Sequence, residues 1–270
     1  MKPSYLIWSA IALLPVASFG FTTTFPASTF DNGTEVQGKD GWGISDPGSD
    51  LDGDSIPDGY LSFVTSLNGS AAAAVGGYYN APLVPAPTTV FLSHAAPSDL
   101  QFTTFSASFD IAGSDEFAPG RDGFGFGFRD SSNNSLFTVS FVPVGGASAD
   151  TYQVTYKVGN TSFDALTGTG GNIIIHANSL YSISLAFSPA GANPTFTASI
   201  SGTSTTTFSG VATGMGSAQV ARFGAEWNTI AGQEGDNYLV FDNVTAVPEA
   251  SASLLLGAGA IGLMARRRRA

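Results

Sequence analysis

Apolar and polar residues alternate along most of this chain, and the alternation limits its fold more than any other feature. In segments 136–142, 152–158 and 181–187, every second residue is large and apolar. A period of two is that of a β-strand with one buried face. Similar segments, with turn residues between them, occupy 102–111, 196–200, 205–208, 220–227 and 238–244. Strands at this spacing predict an all-β protein, an antiparallel β-sandwich.

Composition restricts the chemistry that the chain can carry. Its 270 residues include 21 phenylalanines, which supply an ample core, but no cysteine and only two histidines. Thiol nucleophiles and zinc–thiolate centres are therefore excluded, and histidine-rich metal sites are poorly supplied. Without Lys2, Glu249 and the terminal arginines, the net charge is −15. Such a body repels nucleic acid and anionic lipid, and it suits divalent cations or neutral polymers.

Both ends of the chain carry membrane-directed segments. Residues 1–20 combine a positive charge, a short apolar run and small residues before Phe21, which is the pattern of a cleavable signal peptide. Residues 250–265 are uncharged and mostly apolar, about 24 Å long as a helix, and Arg266 to Arg269 follow them. Four arginines are costly to translocate and should stay in the cytoplasm. The sequence therefore predicts an exported body at 21–246 between two membrane segments.

The C-terminal order of motif, apolar segment and arginines resembles the PEP-CTERM sorting signal of Gram-negative bacteria. The resemblance rests on Val247, Pro248 and Glu249, on the apolar segment, and on Arg266, Arg267, Arg268 and Arg269. It implies a sorting signal at 247–270 with a transmembrane helix, recognised by exosortase, a membrane-embedded cysteine transpeptidase. Ala250 stands where the family most often has a second proline. A simple C-terminal tail anchor is the alternative.

An acidic segment near the N-terminus has the spacing of a calcium loop. Its carboxylates, separated by other residues, are those of Asp50, Asp52, Asp54 and Asp58. Ca²⁺ takes about six to eight oxygen ligands, and without a cation these carboxylates would repel one another. The segment resembles thrombospondin type 3 repeats and, more loosely, an EF-hand loop, which implies bound Ca²⁺. It departs from the EF-hand at Ser55 and Leu61, and a solvated acidic loop is the alternative.

Segment 122–128 alternates phenylalanine with glycine. Phe124, Phe126 and Phe128 share one strand face, which should enter the core, and glycines form the other face. Bare backbone on the glycine face would let a sheet, a loop or a flat ligand approach closely. If that face is a binding platform, Gly125→Val should leave the fold intact; if it packs against a second sheet, the same change should unfold the domain.

The same segment resembles the Asp-Gly-Phe-Ala-Phe strand of the concanavalin A-like lectin fold. The resemblance implies that the sandwich is a jelly roll of the concanavalin A-like type and that Asp122 has a role at a sugar site. The alternative for Asp122 is that it only begins a strand. In the closing segment 238–245, the pair Asp242-Asn243 is expected at a bulge or in a hydrogen bond to a neighbouring turn. We interpret that pair as structural.

An enzymatic function has little support in the sequence. The Glu-x-Asp-x-x-Glu pattern of glucanases and the Gly-x-Ser-x-Gly elbow of serine hydrolases do not occur. The favoured hypothesis is a non-enzymatic, exosortase-sorted surface or matrix protein that is associated with exopolysaccharide. A lectin-like carbohydrate-binding module and a glycan hydrolase with an unrecognised site are the alternatives. The chain is expected to be anchored transiently in the inner membrane and then to reach the cell surface or the exterior.

Overall fold

The computed structural model describes residues 20–45, 62–76, 89–95, 102–113, 122–144, 150–159, 161–166, 170–188, 194–211, 219–228 and 237–248. These residues form sixteen β-strands and no α-helix. Accordingly, none of these ranges holds a helix that is long and apolar enough to span a membrane. The acidic segment, residues 1–19 of the predicted signal peptide and the residues after Pro248 lie outside the described part of the chain.

The strands assemble into two antiparallel sheets. In chain order they are β1 (Phe21–Thr23), β2 (Trp42–Ser45), β3 (Ser62–Leu67), β4 (Ser70–Gly76), β5 (Thr89–Ala95), β6 (Phe102–Gly113), β7 (Gly123–Arg129), β8 (Ser135–Val144), β9 (Thr151–Val158), β10 (Thr161–Asp164), β11 (Ile174–His176), β12 (Tyr181–Ser188), β13 (Thr195–Ser201), β14 (Thr205–Val211), β15 (Arg222–Asn228) and β16 (Asn237–Pro248). The first sheet has the order β14-β13-β12-β6-β16-β4-β3, and β1 pairs with β16. The second sheet has the order β10-β9-β8-β7-β15-β5-β2, and β11 pairs with β9.

The inner faces of the two sheets enclose one aromatic core. The ring of Phe109 in β6 lies 4.9 Å from that of Phe141 in β8 and 5.4 Å from that of Phe126 in β7, measured between centroids. All three side chains are fully buried, and burying each contributes roughly 1.5–3 kcal/mol. The predicted antiparallel β-sandwich is confirmed, because the alternating residues of the sequence do form the two facing surfaces.

The alternation did not predict the hairpin of β3 and β4. Ala73 and Val75 of β4 join the main core, whereas Ala72 and Ala74 pack into a second, smaller apolar cluster on the other side of the sheet. A strand that is buried on both faces has no reason to alternate. The turn itself, Asn68-Gly69, has φ angles of 49° and 84°, and Asn-Gly between two strands is a strong hairpin signal.

The last long strand contains the expected bulge. The pairing of β16 with β6 shifts register between Asp242 and Thr245, and Asn243 has a φ of 53°. A bulge leaves a residue unpaired and bends its strand. Asp242 is 2% exposed, and its Oδ1 has no hydrogen-bond partner among the described residues. Burial raises the pKa of this carboxyl, and a hydrogen bond from the backbone N–H of Asn243 partly offsets the shift.

Replacing Asp242 by asparagine is expected to stabilise the fold at neutral pH. Because the pKa of Asp242 is higher in the folded than in the unfolded state, the contribution of this side chain to stability is greatest below the unfolded pKa and is lost as pH rises through the folded pKa. The asparagine side chain does not titrate. Thermal melting of both proteins between roughly pH 3 and pH 7 should show an advantage of the variant that grows with pH. An advantage that is constant or shrinks would contradict this explanation.

Candidate functional site

The outer face of the second sheet, which points away from the core, forms an open cleft of about 620 Å³. Clefts of about 300–1,000 Å³ are typical of ligand sites. The lining comes from five adjacent strands, β10, β9, β8, β7 and β15. Polar side chains and bare backbone make up much of this lining, including Gly123, Ser140, Thr155, Lys157, Asp164 and Asn228. The hydrogen-bonded strands beneath these groups hold them in fixed positions.

A buried carboxylate lies beside the cleft between two cations. Arg129 Nη2 donates a hydrogen bond to Glu226 Oε2 at 3.0 Å, and Asn228 Nδ2 donates to Glu226 Oε1 at 2.9 Å. Lys157 Nζ lies 4.0 Å from the same Oε1. The Glu226 side chain is 4% exposed, whereas that of Lys157 is 37% exposed. Because Arg129 and Asn228 already satisfy the carboxylate, the Lys157 ammonium keeps donors that can reach a ligand in the cleft.

Arg129 is held in place from a second side by an aromatic ring. Its guanidinium carbon lies 4.0 Å from the centroid of the Phe91 ring in β5, which is the geometry of a cation–π contact. The Arg129 side chain is only 9% exposed. The residue therefore positions and neutralises Glu226 and has little surface left for a ligand.

Strand β10 closes one side of the cleft with polar groups. Ser162 and Asp164 pair with Lys157 and Thr155 and line the cleft with them. Gln153 Nε2 donates to Asp164 Oδ1 at 2.9 Å. The ring of Phe163, which is 45% exposed, lies on the opposite side of the sheet, where it stacks at 5.2 Å on Tyr156, a residue whose ring packs against Phe196 and Phe208 of the first sheet. A cleft lined by hydrogen-bonding groups suits a polyhydroxylated molecule.

On the glycine face of β7 there is no room for a side chain at Gly125, in the middle of the strand, but there is room at Gly123, its first residue. A Cβ atom at Gly125 would lie 2.5 Å from the backbone oxygen of Val139 in β8. Of the two outcomes expected for Gly125→Val, this contact favours loss of the fold, because the neighbouring strand occupies the space. That strand belongs to the same sheet, so packing against the other sheet is not the cause. At Gly123, by contrast, the nearest atom to an added Cβ is the oxygen of Phe141 at 3.4 Å.

Asp122 lies just before β7 and is 2% exposed. Its Oδ2 accepts a hydrogen bond of 2.7 Å from Trp227 Nε1. Trp227 is a core residue of β15, so this contact ties the start of β7 to the neighbouring strand. These contacts are structural ones, and the contact of Asp122 with a sugar stays a prediction.

The predicted calcium ligands Asp50, Asp52, Asp54 and Asp58 lie outside the described residues. Within the described part of the chain, no cluster of three or more acidic or histidine side chains has the arrangement of a metal site. The prediction of Ca²⁺ binding therefore stays a prediction that rests on the sequence.

Among the described residues, the titratable side chains that line the cleft are those of Lys157 and Asp164. Among the described residues that line it there is no histidine or tyrosine. His94 packs 4.1 Å from the ring of Phe21, where burial lowers its pKa. His176 lies on β11. The carboxylate of Asp164 is engaged by Gln153, so the cleft presents mainly hydrogen-bonding groups.

Only part of this site could be predicted from the sequence. In the sequence, Glu226 lies between the apolar residues Ala225 and Trp227, and Lys157 lies between Tyr156 and Val158. Each is therefore expected on the outer face of its strand. What the alternation cannot show is that β9 and β15 belong to one sheet, separated by β8 and β7. The site depends on that order, because it brings residues 69 positions apart to within 4.0 Å.

Comparison with known proteins identifies the sorting motif from the sequence and the fold from solved structures. The sequence model of the PEP-CTERM protein-sorting motif matches residues 246–269. No curated protein matches the chain. Among solved structures, the alginate lyase from Klebsiella pneumoniae is similar, with a TM-score of 0.53 and 11% identity over 78% of this chain and 96% of that chain. At this identity the similarity shows the β-sandwich fold alone.

Two sugar-recognition proteins show a weaker similarity. The carbohydrate recognition domain of Emp47p has a TM-score of 0.49 and 10% identity, over 86% of this chain and 96% of that chain. Lectin II from Ulex europaeus has a TM-score of 0.48 and 11% identity, over 85% of this chain and 98% of that chain.

The matched sorting motif begins inside the folded domain. Its first three residues, 246–248, form the end of β16. The remainder, including Glu249 and Arg266 to Arg269, lies outside the described residues. The motif implies export, sorting through the membrane and recognition by exosortase. The chain is therefore an exported β-sandwich protein that carries a PEP-CTERM protein-sorting motif.

Proposed function

We propose that this protein binds a neutral exopolysaccharide in the cleft on the outer face of the second sheet and does not cleave it. The observation that carries the proposal is that the Lys157 ammonium and the Ser140 hydroxyl, which has no hydrogen-bond partner among the described residues, line the same cleft. The five strands that line the cleft span about 19 Å from the first to the last, because neighbouring strands lie about 4.8 Å apart. That length accommodates several sugar units of a polymer.

The charges of the site favour a neutral ligand. Around the cleft, the cations Arg129 and Lys157 are balanced by the carboxylates Glu226 and Asp164. The body as a whole carries a net charge of −15, which would repel a polyanion on approach. A neutral polysaccharide is not repelled by the negative charge of the body, and it can form hydrogen bonds with both the donors and the acceptors of the cleft.

Binding without cleavage is part of the proposal. A retaining hydrolase needs two carboxyl groups about 5–5.5 Å apart on either side of the bond. Here Glu226 is held by Arg129, and Asp164 is held by Gln153, so neither carboxylate is free for that role. Release of reducing or unsaturated sugar ends from a bound polysaccharide would support the alternative of a glycan-cleaving enzyme.

Substitutions in the cleft should weaken retention of the polysaccharide. Thr155→Ala removes a hydroxyl that lines the cleft, and loss of one hydrogen bond typically costs about 1 kcal/mol, or roughly fivefold in affinity. Lys157→Met removes the free ammonium and should also weaken binding. Leu180→Ala is the control, because Leu180 is exposed, at 51%, but does not line the cleft. Affinity gel electrophoresis with the producing cell's exopolysaccharide measures the effect. Equal retention of all three variants and the wild type would refute the proposal.

We also propose that the acidic segment binds Ca²⁺ and stabilises the domain. A cation that binds only the folded state adds about 2.7 kcal/mol at 100 times its dissociation constant. The melting temperature should therefore rise by several degrees in millimolar calcium. The paired change Asp52→Ala and Asp54→Ala should abolish the rise. Identical melting in calcium and in chelator would contradict calcium binding.

A further inference from the structure

A second cleft lies on the outer face of the first sheet, on the opposite side of the molecule from the cleft described above. Its volume is about 220 Å³, and it extends across β6, β12 and β13 to the bulge of β16. Six serines supply most of its lining, and Asn243 reaches it from the bulge. We call it the serine cleft. Among the described residues that line it, none carries a charge, so the chemistry of this surface is that of neutral hydroxyl groups.

The pairing of the strands arranges the six serines in two rows. In the first row, Ser184 of β12 pairs with Ser106 of β6 on one side and with Ser199 of β13 on the other. The second row is formed in the same way by Ser108, Ser182 and Ser201. Neighbouring serines of one row lie on adjacent strands, which are about 4.8 Å apart, and paired residues share one face of the sheet. The serine cleft therefore presents a regular array of hydroxyl groups.

Hydroxyl groups of β14 hold one end of each row. Thr207 Oγ1 donates a hydrogen bond to Ser199 Oγ at 3.2 Å, and Ser201 Oγ lies 3.0 Å from Thr205 Oγ1. A hydroxyl that accepts one hydrogen bond still has its own O–H to donate. Ser199 can therefore bind a ligand while Thr207 fixes its position. Groups that donate and accept without carrying charge match the hydroxyls of a neutral sugar.

A buried carboxyl group at the other end of the second row lacks a partner. Asp242 pairs with Ser108, so its side chain lies on the same face of the sheet as that row. It is 2% exposed, and its Oδ1 accepts no hydrogen bond from the described residues. An unpaired buried acceptor is unfavourable for folding, and residues that cost stability often serve binding. A sugar hydroxyl at this end of the serine cleft would supply the hydrogen bond that Oδ1 lacks.

We propose that the serine cleft binds a second strand of neutral polysaccharide, so that one molecule bridges two polymer strands. The inference rests on the proposed function, in which the cleft of the second sheet holds the first strand. The core lies between the two sheets, which in a sandwich pack about 10 Å apart, so the two clefts point in opposite directions. One stretch of polymer cannot occupy both clefts at once, and the serine cleft is free for another strand. A protein with two such sites cross-links the polymer as well as coating it.

Light scattering of the protein mixed with the producing cell's soluble exopolysaccharide tests the bridging. The scattering should rise as protein is added and fall again in excess protein, because each strand is then saturated by separate molecules. Ser184→Val places an apolar, β-branched side chain at the centre of the serine cleft without disfavouring the strand, and it should abolish the rise. Ser209→Val is the matched control, because Ser209 is exposed on the same face, opposite Thr197, but does not line the serine cleft. It should scatter like the wild type.

Affinity gel electrophoresis separates this inference from the proposed function. The double change Lys157→Met and Ser184→Val should be retained by the polysaccharide less than Lys157→Met alone, because both clefts are then impaired. Equal retention of these two proteins, or undiminished scattering by Ser184→Val, would overturn the bridging. A wild-type protein that is retained in the gel but gives no rise in scattering would also overturn it, and would leave the proposed function standing. Failure of the polysaccharide to retain the wild type would overturn both.

Discussion

Arg129→Met is expected to destabilise the protein by about 3–5 kcal/mol, because it removes one partner of a buried ion pair. The Arg129 and Glu226 side chains are 9% and 4% exposed, and the atoms in contact are 3.0 Å apart. Without the guanidinium, the carboxylate keeps only the amide of Asn228 and the more distant ammonium of Lys157. Unfolding in urea, followed by tryptophan fluorescence, measures the loss.

Lys157→Met is the matched comparison for this prediction. It removes a cation beside the same carboxylate, but the Lys157 side chain is 37% exposed and 4.0 Å away. Exposed pairs contribute at most about 1 kcal/mol, so stability should change little while binding weakens. The double change Arg129→Met and Glu226→Gln should recover part of the lost stability, because no unpaired charge then stays buried. Similar losses for the two single variants would contradict this account of the pair.

The sequence predicts strands best where one face of the strand is buried and the other is exposed. In β12, Ile183, Leu185 and Phe187 are buried while Ser182 and Ser184 are exposed, and the alternation marks the strand almost to its ends. Strand β4 was missed because its alanines are buried on both faces. Strands as short as β1 and β11, with three residues each, offer too few positions for a period to be recognised.

The site was harder to predict than the fold because it depends on which strands are neighbours. Phe163 lies in β10, a four-residue strand that is exposed along its length and shows no buried face. Its neighbours Ser162 and Asp164 line the cleft only because β10 pairs with β9, where they lie opposite Lys157 and Thr155. Asp122 shows the opposite case, since a motif-like position turned out to be buried against Trp227. The alternation of apolar and polar residues therefore predicts the two layers of the sandwich, but it does not predict which side chains come together on the outer face of a sheet.

Gly125→Val is expected to destabilise the domain by about 3 kcal/mol or more, which is the upper range for overpacking. Because the obstructing atom at 2.5 Å is a backbone oxygen of β8, no side-chain rotation can relieve the clash, and β7 and β8 must separate. Loss of the cooperative thermal transition, or a melting temperature many degrees lower, is the expected observation. A variant that melts like the wild type would show that the two strands can separate at little cost.

Gly123→Ala in the same strand is the control that distinguishes a loss of stability from a loss of ligand binding. An added Cβ there meets the oxygen of Phe141 at 3.4 Å and Asn228 Cβ at 3.7 Å, which are ordinary contacts. Gly123 also lines the cleft, so the new methyl group occupies space where the polysaccharide is proposed to lie. The variant should therefore melt like the wild type but retain the polysaccharide less well in affinity electrophoresis. If it melts normally and binds normally, the ligand does not reach the β7 side of the cleft, and binding must be confined to the side formed by β9 and β10.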